Sequence, residues 1–178
     1  MTNELFKILS KHDWIDWSTI YYALKNKNVF PENINQSLIS AYAEKCLSKI
    51  TSEKPEFSEV AYLAFDYPNN REETLARIYD ICLILDCTNH SLAERKWRAA
   101  DLEFVLNNLS NDPMYNLIDL SSFWSRWGWP LETPNSLLSD SIKTIDYGSS
   151  SHLNAVIAEC ENWLRLEHDY ISSQCINN

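Results

Sequence analysis

The sequence predicts an all-α protein, one domain of seven or eight helices over residues 1–178, and three observations carry that expectation. Only two glycines, Gly128 and Gly148, occur in 178 residues, so hairpins and phosphate-cradling loops that need positive φ have almost nothing to build them. Apolar residues recur at spacings of three and four, the period of an amphipathic helix. Asn, Ser and Asp stand ahead of these stripes, followed by Glu three residues on or Pro one residue on. That chemistry satisfies the unpaired amides of a first helical turn.

Taken in order, "WIDWSTIYYALKN" reads as a helix started at Asp16. In "INQSLISAYAEKCLSKI", residues 34–50, the apolar positions Ile39, Tyr42, Ala43, Cys46, Leu47 and Ile50 form one face, after Pro31 and with Asn33 as the cap. "SEVAYLAF" is a short helix or a strand. Asn70 with Glu73 opens "REETLARIYDICLILDC", whose second half is apolar on nearly every side and is therefore expected to be the central buried helix. Ser91 with Glu94 opens "LAERKWRAADLEFVLNN", which places Ala93, Trp97, Ala100 and Phe104 on one face.

Asp112 followed by Pro113 is a strong helix opening, because proline at the first position gives up only an amide that had no partner. Leu117, Leu120, Trp124 and Trp127 then step by three, four and three. Gly128 suits the left-handed position beyond a helix end, and Pro130 blocks continuation. The tryptophans of "SSFWSRWGWP" are thereby divided: Trp124 and Trp127 belong to the core, and Trp129 lies past the stop. Residues 131–151 form an irregular acidic loop with one short helix, carrying Glu132, Asp140, Asp146 and Tyr147. The last helix begins near the serines at 149–151, with a stripe of Leu153, Val156, Ile157, Cys160, Leu164 and Ile171.

Composition narrows the function. Net charge is −10, and it is uneven along the chain: residues 1–100 hold 14 acids and 12 bases, net −2, whereas residues 101–178 hold 11 acids and 3 bases, net −8. Such a field repels nucleic-acid phosphates and attracts a basic protein at raised on-rates. The N-terminus has no basic segment followed by an apolar run, and the longest apolar run, "VAYLAF" at 60–65, is six residues. Neither a signal peptide nor a membrane span is expected, and a cytoplasmic location follows. Five cysteines without a CxxC pair read as reduced thiols.

No reaction motif is present. GxSxG, GxxxxGK[ST] and GxGxxG are all missing, and His12, His90, His152 and His168 form no HExxH pattern, so neither cofactor nor metal is expected. Glu161 and Arg165, at i, i+4, read as a solvated ion pair. Aromatics make up 12% of the chain. Those not claimed by the core, Trp129, Tyr147 and Tyr170, lie near acids and offer rigid contact area for a partner rich in Arg and Lys.

"WIDWSTIYYALKNKNVFPENINQSLISAYAEKCL", "KWRAADLEFVLNN" and "DPMYNLIDLSSFWSRWGWP" together resemble a helical bacterial family that includes immunity proteins of contact-dependent growth inhibition systems. The likeness spans most of the chain and rests on the spacing of aromatic and apolar positions. It implies a cytoplasmic antidote to the nuclease toxin domain of a delivered effector, of EndoU ribonuclease type. Charge and aromatics, read without the family, point to Trp129, Glu132, Asp140, Asp146, Tyr147 and Glu159 as toxin-binding residues. The acids would pair with Lys or Arg, and the rings would fill pockets. Two other readings stand beside this one: a small enzyme with His90 or His152 next to a carboxylate as general base, and an adaptor that takes a helix in an apolar groove.

Overall fold

The computed structural model describes residues 1–30, 32, 34–66, 70–87, 90–134, 137 and 149–176. Among these, every regular element is a helix: α1 (Thr2–Lys11), α2 (Trp17–Lys25), α3 (Gln36–Leu47), α4 (Phe57–Phe65), α5 (Arg71–Ile84), α6 (His90–Asn107), α7 (Pro113–Arg126) and α8 (Ser150–Ile176). The all-α expectation holds, and "SEVAYLAF" is helical. The contacts gather into two compact units, Met1–Glu94 and Arg95–Asn178.

In the first unit α3 packs on α4, α2 on α5, and α4 on α5. Asp16 starts α2 as expected, with its carboxylate accepting from the Thr19 amide at 2.7 Å. Asn35 caps α3, accepting from the Ser37 amide at 3.0 Å ahead of Gln36, while Asn33, the expected cap, lies outside the described residues. Asn70 accepts from the Glu73 amide at 2.7 Å, while the Glu73 carboxylate returns to the Asn70 side-chain amide at 3.4 Å. Arg71, the first residue of α5, reaches back to the Ala23 and Leu24 carbonyls at 3.0 and 2.8 Å. Those carbonyls end α2 and have no helical partner of their own, so one guanidinium ties the end of α2 to the start of α5. Arg77 bonds Glu59 at 2.7 Å and lies 3.7 Å from the Tyr62 ring centre, joining α5 to α4.

Two expectations for this unit need correction. The second half of α5 is not buried on all sides: Thr74, Ile78, Ile81 and Cys82 form a narrow inner stripe, and Tyr79, Leu83, Ile84 and Leu85 face solvent. Packing against α2 and α4 covers one side only, so an all-round apolar sequence leaves a surplus outside. Ser91 is likewise not the cap of α6, which already includes His90.

In the second unit α7 packs on α8. Their facing stripes, Leu117, Leu120, Phe123 and Trp124 on α7 and Leu153, Val156, Cys160 and Trp163 on α8, close a core with Leu102 of α6. Trp124 is fully buried and meets Phe123 and Trp163 edge to face, with ring centres 4.8 and 5.4 Å away. Burial at that site pushes the Cys160 thiol up to about 12. Asp112 caps α7 by accepting from the Met114 and Tyr115 amides, ahead of Pro113 at the first position.

Because Trp124 is the largest fully buried side chain in this core, Trp124→Ala should cost about 3–5 kcal/mol. Removing only the cap, Asp112→Ala, should cost about 1 kcal/mol. Urea unfolding of the two variants measures both. Equal losses would mean that the α7 stripe is not the principal packing contact.

Candidate interaction surface

Three helices end in the same closure. In α1 the Trp14 amide bonds the Leu9 carbonyl and the Asp13 amide bonds Ser10. In α5 Cys87 bonds Cys82 and Asp86 bonds Leu83. In α7 Trp129 bonds Trp124 and Gly128 bonds Ser125. This is the six-to-one and five-to-two pair of bonds of a Schellman stop, which needs a left-handed residue just past the helix. Asp13, Asp86 and Gly128 supply it, with φ of 55°, 51° and 77°. Trp129 then adds a second positive φ, 51°, which is unusual for a bulky residue.

This double left-handed step turns the chain outward. Trp129 is 42% exposed and Leu131 fully so, and Glu132 beside them is exposed. The turn closes again where the Thr133 amide and hydroxyl both donate to the Pro130 carbonyl, at 2.9 and 2.7 Å, and Thr133 is buried.

The mount beneath the turn is a buried carboxylate. Asp101 of α6 is 1% exposed, and its Oδ2 accepts from Arg126 Nε and Nη2, at 3.1 and 2.7 Å, and from the Trp127 indole N–H at 2.8 Å. Arg126 and Trp127 are the last helical residue of α7 and its C-cap. Trp127 is therefore only half-buried, an anchor at the edge of the core rather than a knob inside it. The base of the turn is fixed by charge-assisted bonds to a buried carboxylate.

The acids of this unit divide by role. Glu167 is buried and takes both Arg95 donors, at 2.9 and 2.8 Å, while the same guanidinium covers the Tyr170 ring at 3.7 Å. Arg165 pairs with Asp169 at 3.5 Å, the i, i+4 neighbour on its other side from Glu161. Asp119, Glu132, Glu159 and Glu161 are exposed. The charge asymmetry read along the chain also changes. The unit boundary at Glu94 puts Arg95, Lys96 and Arg98 with the later acids, so Arg95–Asn178 holds 11 acids and 6 bases, and Met1–Glu94 holds 14 and 9, net −5 in each.

Of the six residues expected to bind a partner, Trp129 and Glu132 share the turn after α7, and Glu159 is on the outer face of α8. Asp140, Asp146 and Tyr147 lie outside the described residues. Sequence reasoning missed Leu131 and the exposed group Met114, Tyr115 and Ile118 on α7. The signal for the latter was their position off the Leu117–Leu120–Trp124 stripe.

His90 stacks on Tyr21 at 5.2 Å, and no carboxylate among the described residues bonds it. A groove of about 210 Å³ lined by Phe6, Ile15, Leu38 and Tyr42 is bordered by Lys7, Asp13 and Lys45. It is smaller than the cavities that usually take ligands and is not the uncharged furrow an adaptor would present.

A family model described as "Uncharacterized protein conserved in bacteria (DUF2247)" matches residues 6–168. The chain belongs to this family. No curated protein and no solved structure matches it. The matched DUF2247 region contains both the Trp129 turn and its Asp101 mount. No helix among the described residues is long and apolar enough to cross a membrane.

If Asp101 fixes the turn, Asp101→Ala strands a half-buried guanidinium and should cost about 3 kcal/mol or more. Hydrogen exchange at the Gly128 and Trp129 amides should accelerate with it. Asp119→Ala, at an exposed site on α7, should leave both measurements near those of the parent, within about 0.5 kcal/mol.

Proposed function

We propose that the protein is a bacterial immunity protein, a non-enzymatic inhibitor that occupies the basic surface of a cognate toxin, the toxin being a nuclease of ribonuclease type. The observation that carries this reading is the turn Gly128–Glu132: an exposed ring, an exposed aliphatic side chain and a carboxylate on a pre-ordered mount. Rigid aromatic anchors lose little side-chain entropy on binding, and a fixed mount removes the cost of ordering the loop. A groove that attracts RNA is cationic, so Glu132 and the exposed acids Asp119, Glu159 and Glu161 suit it electrostatically. The likeness in sequence to immunity proteins of contact-dependent growth inhibition systems supports the same partner, and the resemblance is the source of the ribonuclease assignment. The net charge of −5 in the unit that bears the turn makes steering a weaker contributor than the sequence alone suggested, and gives the ring the larger share of the affinity.

Co-expression with the product of the adjacent upstream gene is the direct test, with growth rescue and co-purification expected together. Failure of both would overturn the reading. Within a complex so obtained, Trp129→Ala should speed dissociation by about 30-fold or more, the size of an interface hot spot. Glu132→Ala should act mainly on association and lose its effect at high salt. An unchanged dissociation rate in Trp129→Ala would remove the turn from the interface.

A further inference from the structure

The stop of α5 brings together two thiols. Cys82 occupies the last turn and Cys87 the position two residues past the cap, the pair of positions whose side chains meet in a Schellman closure. Cys82 is buried and Cys87 half-buried, and both carry free thiols. The Cys87 amide donates to the Cys82 carbonyl at 2.9 Å, which holds the two residues side by side in the closure, and the start of α2 at Ser18 lies against the Cys87 sulfur. Ser18 is the second residue of α2, whose cap Asp16 serves the Thr19 amide. The Cys87 sulfur thus sits near the first turn of α2, at the positive end of its dipole.

We propose that Cys82 and Cys87 form a reversible dithiol–disulfide site, with Cys87 reacting first with a peroxide and Cys82 resolving it. The chemistry closes with two electrons from two sulfurs. The Cys87 thiolate attacks one peroxide oxygen, the O–O bond breaks, and a sulfenic acid and hydroxide result. The hydroxide takes the Cys82 proton as water. The Cys82 sulfur then attacks the Cys87 sulfur, forming S–S and expelling a second hydroxide, which is protonated to water. A thiol donor restores both thiols by exchange.

The environment divides the two roles. The hydrogen bond from Cys82 pulls the Cys87 thiol below its ordinary value, aided by the Ser18 amide and opposed by burial and by the nearby Asp16 carboxylate. The hydrogen bond it gives to Cys87, together with burial, pushes Cys82 up. Cys46, also in this unit, is pushed up by burial, so it remains a thiol. Tyr42, whose phenol burial pushes up strongly, is neutral beside this cluster. Low-pKa, accessible thiolates next to a resolving thiol are the ones that peroxides select.

The test uses the full reduced chain. Treatment with hydrogen peroxide followed by alkylation and peptide mapping should show a Cys82–Cys87 link, with two hydrogens lost and both restored by dithiothreitol. The same treatment of urea-unfolded chain should give no preference for that pair. Alkylation of Cys87 at neutral pH should run several-fold faster than that of Cys46, since each unit of lowered pKa raises the thiolate about tenfold while nucleophilicity falls by about threefold. In Cys82→Ser, a folded chain should accumulate the Cys87 sulfenic acid, trapped by dimedone. A native chain that links other cysteines, or in which Cys87 is alkylated no faster than Cys46, would overturn the proposal without any variant having to fold.

Discussion

One backbone device ends α1, α5 and α7 in this glycine-poor chain: a six-to-one hydrogen bond closed over a left-handed residue. The device brings the third residue from the helix end beside the second residue past the cap. What the sequence places at those two positions decides the local outcome. In α1 they are Leu9 and Trp14, both buried, and the result is ordinary packing. In α5 they are Cys82 and Cys87, and the result is a reactive pair. In α7 they are Trp124 and Trp129, one ring fully buried and the other 42% exposed, and the result is a projecting turn. Each candidate site therefore follows from a helix stop rather than from a cleft.

The buried charges serve the same end. Asp101 holds the last residues of α7, Glu167 holds Arg95 against Tyr170, and Arg71 holds the end of α2 to the start of α5. A buried carboxylate with a guanidinium partner is no stronger than a good apolar contact of the same volume, since desolvation offsets most of the attraction. Its value is geometric, because three donors on one oxygen leave few alternative arrangements. Asp101 thus does for the α7 stop what no aliphatic residue could: it fixes both Arg126 and the Trp127 indole, and with them the direction in which the chain leaves the helix.

Much of the fold was legible because its signals are local. Asp16, Asn70 and Asp112 cap the helices expected of them, since cap chemistry depends on residues two or three positions away. Asn35 offers the same cap chemistry as Asn33 two positions on, and Ser91 misled because α6 already includes His90. The outward side of α5 was illegible, as its apolar residues surround the helix and periodicity names no inner face. The Trp129 turn was half legible: Gly128 and Pro130 marked the stop, but nothing local announced the second positive φ or Asp101 beneath it. The thiol pair was missed because its spacing of five matches no motif, and its activating amide comes from α2, sixty-nine positions earlier. The sequence-level charge contrast depended on an arbitrary division at residue 100, and three cations between 95 and 98 removed it.

Trp129 is the position least explained by stability alone. A bulky residue in the left-handed region costs about 1–2 kcal/mol that glycine would not, and an indole left 42% exposed gives up part of the free energy its full burial would contribute. The neighbouring Gly128 already supplies the left-handed step the stop requires. A chain shaped only for folding would continue with a small polar residue, and Thr133 would close the turn equally well. The strain and the exposure occur together, on a mount that a buried carboxylate holds still, and strain confined to one rigidly supported contact residue is the pattern of a surface prepared for a partner.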